Sequence, residues 1–260
     1  MHETREPSYH RLVTETKEAV RAYWDARPCG EGLTHASRGS HEYFAEIEAE
    51  KDRLEPYLPA FAGFAASAGL DVLEVGCGVG TDTARFARAG AHVTAVDLTE
   101  TAVELTRARL ADEGLDGVVC QADAEALPFP KESFDLVYSW GVLHHTADTA
   151  RAIRETRRML RPNGEARIML YNARSFFALG VWVRGGLLSG RPMSPATALA
   201  TRLESPGTKA YTRDGIAALF APYSTFEVET IATPYDRRVV GPLAPLAPRF
   251  GWNHLVRARP

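Results

Sequence analysis

Apolar positions recur along this chain with two periods, and the alternation between them lays out its elements. From Tyr9 to Trp24 they return at helical spacing (Leu12, Val13, Val20, Tyr23, Trp24), which predicts an amphipathic helix. The helix should stop at Arg27-Pro28-Cys29-Gly30, because proline lacks an N–H and glycine favours a helix end. A second helix is predicted from near Ser40, with Tyr43, Phe44, Ile47 and Leu54 on one face and Pro56 and Pro59 as punctuation. Residues 1–8 are polar and expected to be loose. Short β-branched and apolar runs follow at Leu70–Val75, His92–Asp97, Val118–Gln121, Phe134–Trp140, Ala166–Tyr171 and Phe226–Ile231. Helical patterns separate the earlier runs, at Thr81–Ala89, Thr99–Leu110 and Asp148–Leu160. Arg161–Glu165 reads as a turn. The apolar, aromatic stretch Ser175–Leu188 reads as a helix broken at Gly185-Gly186, and Ala196–Leu203 as a further helical piece. Thr212 should cap the next helix. The proline-rich segment from Pro234 to Pro248 is expected to wrap the surface.

The first strand runs into Gly76-Cys77-Gly78-Val79-Gly80, and a helix begins at once. Glycines permit positive φ and let a ligand approach the main chain, and a helix start offers free N–H groups to an anionic group. The dinucleotide fingerprint Gly-x-Gly-x-x-Gly/Ala fails at its last position, which is Thr81. A purely structural strand–helix turn is the bland alternative. The second strand ends in Asp97, about twenty residues after the glycines, where a carboxylate suits a ribose diol or caps the helix that follows. Leu98 is placed to pack on a base. In an open α/β sheet, ligands bind beyond the carboxyl ends of the strands. That puts the end of the fourth strand, Ser139 and Trp140, and the following His144 and His145, beside a ligand, with Tyr171 and Asn172 opening onto the same cleft. The histidines are candidate bases for a hydroxyl or amine proton, or a structural pair that packs the loop. Side by side, with no third ligand nearby, they are not expected to hold a metal.

In this order the motifs resemble the class I S-adenosylmethionine-dependent methyltransferases, in the ubiquinone/menaquinone-type small-molecule branch. Glu74-x-Gly76-x-Gly78-x-Gly80 resembles that family's motif I, and Asp123-Ala124-Glu125-x-Leu127-Pro128-Phe129 resembles its adenine-reading segment. Phe134-Asp135-Leu136-Val137, continuing to Gly141-Val142-Leu143-His144-His145, resembles its motif IV. The Tyr23-Trp24 and Glu42–Glu48 patterns look like an N-terminal cap of the same branch. The resemblance implies a Rossmann-like, seven-stranded sheet with its last strand antiparallel, flanked by helices and carrying helical caps. Residues 1–69 would form the N-terminal cap and 70–260 the methyltransferase domain, with a lid insertion at about 173–210. It implies S-adenosylmethionine as cofactor, held by Glu74, Gly76, Cys77, Gly78, Gly80, Asp97, Leu98, Asp123, the Ala124 backbone, Ser139 and Trp140. Tyr23 is a candidate for the cofactor mouth and Tyr9 for the substrate mouth; Tyr23 and Trp140 could face the cationic sulfur. Transfer of a methyl group to oxygen, nitrogen or carbon of a small, apolar or aromatic acceptor is the implied reaction.

Composition alters this picture little. The 260 residues carry a formal net charge of −3, so no general attraction to nucleic acid or an anionic membrane is expected. Arg151, Arg154, Arg157 and Arg158 lack interleaved aromatics and read as a solvated helix face. Three scattered cysteines fit a reducing compartment, and no run is long enough to span a membrane, so a cytoplasmic location is expected. The rivals are a nicotinamide-dependent oxidoreductase and a cofactor-binding partner protein without chemistry of its own.

Overall fold

The computed structural model describes residues 9–188, 190, 193–241 and 248–260, apart from the side chains of 9–16 and 187. The expectation of a loose start at residues 1–8 lies outside the described residues, as does the Tyr9 side chain. Three helices precede the sheet: α1 (Tyr9–Ala26), α2 (His41–Leu54) and α3 (Leu58–Ala62). The Ser40 hydroxyl caps α2 by accepting from the Tyr43 N–H. The sheet strands are β1 (Asp71–Val75), β2 (His92–Asp97), β3 (Val118–Gln121), β4 (Phe134–Trp140), β5 (Leu160–Tyr171), β6 (Thr225–Ile231) and β7 (Asn253–Arg259). Their order is β3-β2-β1-β4-β5-β7-β6, parallel except that β7 runs antiparallel to both neighbours. The crossovers carry α4 (Thr81–Arg88), α5 (Glu100–Asp112) and α6 (Thr149–Met159). Between β5 and β6 lie α7 (Phe176–Trp182), α8 (Pro195–Arg202) and α9 (Arg213–Phe220), and α10 (Pro234–Val240) follows β6. This is the Rossmann-like, seven-stranded sheet with one antiparallel strand that the resemblance implied.

The sheet is buried on both faces, and side chains alternate between two cores. Leu73 and Val75 of β1 join Val137, Ile153 and Ile168 on one side. Val72 joins Leu136, Tyr138, Phe86 and Leu255 on the other.

Three local expectations are corrected. The segment Arg161–Glu165 is not a free turn before β5. Leu160 already pairs with Phe134 and Glu165 with Leu136, so residues 161–164 bulge out within one strand. The Arg161 guanidinium braces the bulge on Asp71 and Asp135, at 2.7 Å each. The helix after Ser175 does not break at its glycines either: it widens into a π-helical turn over Val183–Leu187. The segment from Pro234 is helical as far as Val240. Pro234 at the first helical position has its φ preset, and buried Asp236 accepts from the Thr233 N–H at 2.9 Å and the Trp252 N–H at 2.8 Å. Residues 242–247 of that stretch lie outside the described residues.

A charge cluster clamps α2 to the sheet layer. Glu48 accepts from Arg88 of α4 at 2.6 Å, from Arg85 at 3.1 Å and from buried Arg109 of α5. Burial alone would raise the Glu48 pKa, but the Arg88 hydrogen bonds and the Arg109 and Arg85 charges outweigh it and hold it at about 2. A depressed carboxylate pKa stabilises the fold above the unfolded value of 4.5, and that stabilisation fades as pH falls toward 2. The gap corresponds to roughly 3 kcal/mol. Urea unfolding at pH 7 and pH 3 should therefore show an acid-induced loss in the wild-type chain that is much smaller in Glu48→Gln.

Candidate functional site

One cavity of about 510 Å³ opens beyond the carboxyl ends of β1, β2, β4 and β5. The glycine turn forms its floor, and the three glycines have separate tasks. Gly76 (φ +86°) lies where a Cβ would sit 2.2 Å from Val142 Cγ2. Gly80 (φ +76°) lies where a Cβ would sit 3.0 Å from the Thr106 Cα. Gly78 (φ +56°) lines the cavity, and a Cβ there would meet no described atom within 4 Å. The first two glycines let elements pack closely, and the third keeps ligand space open.

Asp97 and Asp123 leave adjacent strands, β2 and β3, and both line the cavity. Asp97 accepts from the Gly78 N–H at 3.1 Å through one oxygen. Its other oxygen accepts from the Thr99 N–H at 2.9 Å and the Thr99 hydroxyl at 2.8 Å. The helix-cap and ligand roles are thus compatible: a carboxylate has about four lone-pair sites, so acceptor capacity remains for a diol. Asp123 accepts from the Glu125 N–H at 2.8 Å and from the Lys17 ammonium at 2.8 Å, and Lys17 also meets Glu125 at 2.6 Å. Helix α1 therefore lies across this end of the cavity. Leu98, Ala124 and Cys77 line it as well.

At the glycine wall, Glu74 is buried and accepts from the Thr83 hydroxyl. Burial, then the Asp82 charge, push its carboxyl well above the ordinary carboxylate value. Asp82 accepts from the Lys51 ammonium at 2.8 Å and from the Tyr138 hydroxyl at 2.7 Å. The Trp140 indole N–H donates to both oxygens of Glu55, at 3.1 and 3.0 Å.

The histidine pair divides. His145 lines the cavity; its Nδ1 lies 2.8 Å from Ser205 Oγ and 3.0 Å from Thr208 Oγ1. Its Nε2 is buried without a hydrogen-bond partner among the described residues, 3.7 Å from Glu204. Burial, then the Lys209 charge, lower its pKa to about 3, so the ring is neutral at physiological pH. His144 is fully buried, with its ring 3.7 Å from that of Tyr171 and 4.3 Å from that of His145. It does not line the cavity, and burial holds its pKa well below the ordinary value.

Four more sequence candidates sit off the cavity. Tyr23 packs edge-on against Trp24 at 5.0 Å, and Trp24 lines the cavity in the place expected for Tyr23, 5.3 Å from the His145 ring. Ser139 is fully buried, and its hydroxyl donates to the Val75 carbonyl at 2.9 Å, tying β4 to β1. Asn172 is spent on backbone, donating to the Gly251 carbonyl at 2.9 Å and accepting from the Arg174 N–H at 2.9 Å. Gly80, as above, serves helix packing. Tyr171 does reach the cavity, and its hydroxyl donates to Glu204 at 3.2 Å. Sequence reading missed Lys17, Lys51, Glu55, Asp82 and Glu204. A spacing of four between Lys51 and Glu55 was the one local hint. Glu204 reaches Tyr171 and His145 across 33 and 59 residues, a proximity no local pattern carries.

Residues 73–168 match the family model described as a methyltransferase domain. The chain is 40% identical over 105 residues to the methyltransferase GfsG of Streptomyces halstedii, covering 39% of this chain and 38% of the relative. It is 38% identical over 116 residues to the 27-O-demethylrifamycin SV methyltransferase of Amycolatopsis mediterranei, covering 44% and 40%. It is 35% identical over 112 residues to the ubiquinone/menaquinone biosynthesis C-methyltransferase UbiE of Shewanella sediminis, covering 41% and 45%. The chain thus spans less than half the length of these relatives. Among solved structures, it superposes on the magnesium protoporphyrin IX methyltransferase of Synechocystis with bound SAH. That match has a TM-score of 0.62 and 15% identity, over 94% of this chain and 99% of the other. It also superposes on an S-adenosylmethionine-dependent methyltransferase of Mesorhizobium loti, with a TM-score of 0.59 and 22% identity over 78% and 97%. At these identities the structural likeness speaks for the fold.

Proposed function

We propose that the chain is a class I S-adenosylmethionine-dependent methyltransferase, on the match of residues 73–168 to a methyltransferase domain, and that it methylates a small-molecule acceptor held at the aromatic end of the cavity. The observation that carries this reading is Gly78, Asp97 and Asp123 on one continuous wall, with His145 and Tyr171 lining the same cavity. The residues present fit the cofactor: Gly78 leaves a cradle that a Cβ would fill, and two carboxylates stand at neighbouring strand ends. In this proposal Asp97 accepts from the ribose hydroxyls, and Asp123 with the Ala124 N–H reads the adenine edge. When bound, S-adenosylmethionine supplies an electrophilic methyl group on a sulfonium. The chain's own work is then alignment, exclusion of water and removal of one proton. Trp24 and Trp140 cover the cavity with apolar rings, and the neutral His145 ring lines it beside Glu204. The lid role of 173–210 gains support from Ser205 and Thr208, which fix the His145 ring from that segment.

The nicotinamide alternative has no support. Thr81, at the failed glycine position, is buried and accepts from Arg109 at 3.1 Å. Among the described residues, no helix is long and apolar enough to cross a membrane, and no group of three or more His, Cys, Asp or Glu is arranged to hold a metal ion. We retain the cytoplasm as the proposed location. The names of the relatives include transfer to oxygen and to carbon, so they leave the acceptor atom open.

Calorimetry tests the reading. S-adenosylhomocysteine should bind one per chain, and NAD(H) should not. His145→Ala should keep that affinity within about threefold while lowering the transfer rate, because the ring that Ser205 and Thr208 hold beside Glu204 is lost. Binding of NAD(H) alone would overturn the reading. Tight cofactor binding without turnover across acceptor panels would favour a non-catalytic partner protein.

A further inference from the structure

The far end of the cavity, away from Asp97 and Asp123, combines aromatic rings with the Glu204 carboxylate. Trp24, Tyr57, Trp140, Tyr171, Tyr235 and Trp252 all line it. The cavity's two lysines are already engaged, Lys17 by Asp123 and Glu125, and Lys51 by Asp82. Among the described residues, no Lys or Arg lies within ion-pair distance of Glu204, whereas Glu55 stands in the field of Lys51. The Glu204 side chain is 47% accessible at the cavity wall and is anchored on its protein side by the Tyr171 hydroxyl. Beside it, the buried His145 ring lines the same space, with its Nε2 3.7 Å from the Glu204 carboxylate. Aromatic faces attract cations, more strongly once water is excluded, and a carboxylate at the box edge supplies the counter-charge. A neutral alcohol would leave this charge unmatched.

Resting on the methyltransferase reading above, we propose that the acceptor carries a basic nitrogen, a hydrophobic amine, bound as its ammonium among these rings with Glu204 as counter-charge and proton acceptor. The ammonium gives one proton to the Glu204 carboxylate, which becomes a carboxylic acid. The freed nitrogen lone pair attacks the methyl carbon, so the N–C bond forms as the S–C bond breaks and its electron pair stays on sulfur. The product leaves as an N-methyl ammonium, and Glu204 releases its proton to solvent. Desolvation raises the Glu204 carboxyl above its ordinary value, which makes it a better acceptor for that proton.

The test is calorimetry on the protein saturated with S-adenosylhomocysteine, using matched pairs: tryptamine with tryptophol, and 2-naphthylmethylamine with 2-naphthylmethanol. Amines should bind about tenfold or more tighter than their alcohols at neutral pH. Glu204→Gln, which keeps the shape, should bring each pair within about threefold while leaving the melting temperature and product affinity in place. Alcohols binding as well as amines, a preference that survives Glu204→Gln, or no panel member binding to the saturated protein would each overturn the proposal. So would a Glu204→Gln variant that loses affinity for S-adenosylmethionine but not for its demethylated product, since Glu204 would then serve the sulfonium. Failure of S-adenosylhomocysteine to bind at all would instead remove the methyltransferase reading on which the proposal rests.

Discussion

Gly76→Ala should destabilise the fold by about 2–5 kcal/mol, whereas Gly78→Ala should cost about 1–2 kcal/mol and abolish cofactor binding. Both glycines adopt positive φ, where an L-residue loses about 1–2 kcal/mol. The difference lies in what the added methyl meets. At Gly76 it lands 2.2 Å from Val142 Cγ2, an overpacking worth about 1–3 kcal/mol more. At Gly78 it meets no described protein atom and projects into ligand space. The double variant Gly76→Ala/Val142→Ala should recover the packing part of the loss but not the backbone part. Denaturant unfolding and calorimetry on the three variants separate stability from binding. Equal effects at the two positions would mean that the glycine turn has no ligand-facing member.

Asp97→Ala should weaken cofactor binding by roughly 100-fold or more. Two charge-assisted bonds to a ribose diol are each worth about 1.5–3 kcal/mol, and about 1.4 kcal/mol is tenfold. The same carboxylate also organises the turn by accepting from Gly78 and Thr99. Asp97→Asn keeps the shape and one oxygen acceptor, so it should fold like the wild type and lose about tenfold in affinity. Circular dichroism with calorimetry on both variants distinguishes lost bonds from a collapsed turn. An Asp97→Ala variant that is folded and binds normally would remove the ribose role.

The strands were legible because each is a short run of β-branched and apolar residues, nearly continuous in the buried central strands β1 and β4, a pattern local to the run. β5 was less so: its bulge depends on Arg161 meeting Asp71 ninety residues away. The helix at Pro234 was hidden by its prolines, since its stability comes from Asp236 bonding both Thr233 and Trp252. In the site, the glycines, Asp97 and Asp123 were readable because strand ends and spacing fix where they stand. The two histidines were not separable, because adjacent residues of the short 3₁₀ turn Leu143–His145 point in different directions. Packing against Tyr171 buries His144 and leaves His145 at the cavity. Glu204, Lys17 and Lys51 reach the cavity from segments outside the matched region 73–168, so no motif announced them.

A crystal structure with S-adenosylhomocysteine is the most direct check that a single groove grips the nucleoside from both its sugar and its base. The account requires the sugar hydroxyls within about 2.5–3.0 Å of Asp97 Oδ atoms and the adenine amino group on Asp123 in place of Lys17. A product molecule seated away from Gly78, or one whose sugar and base contact neither acid, would contradict it.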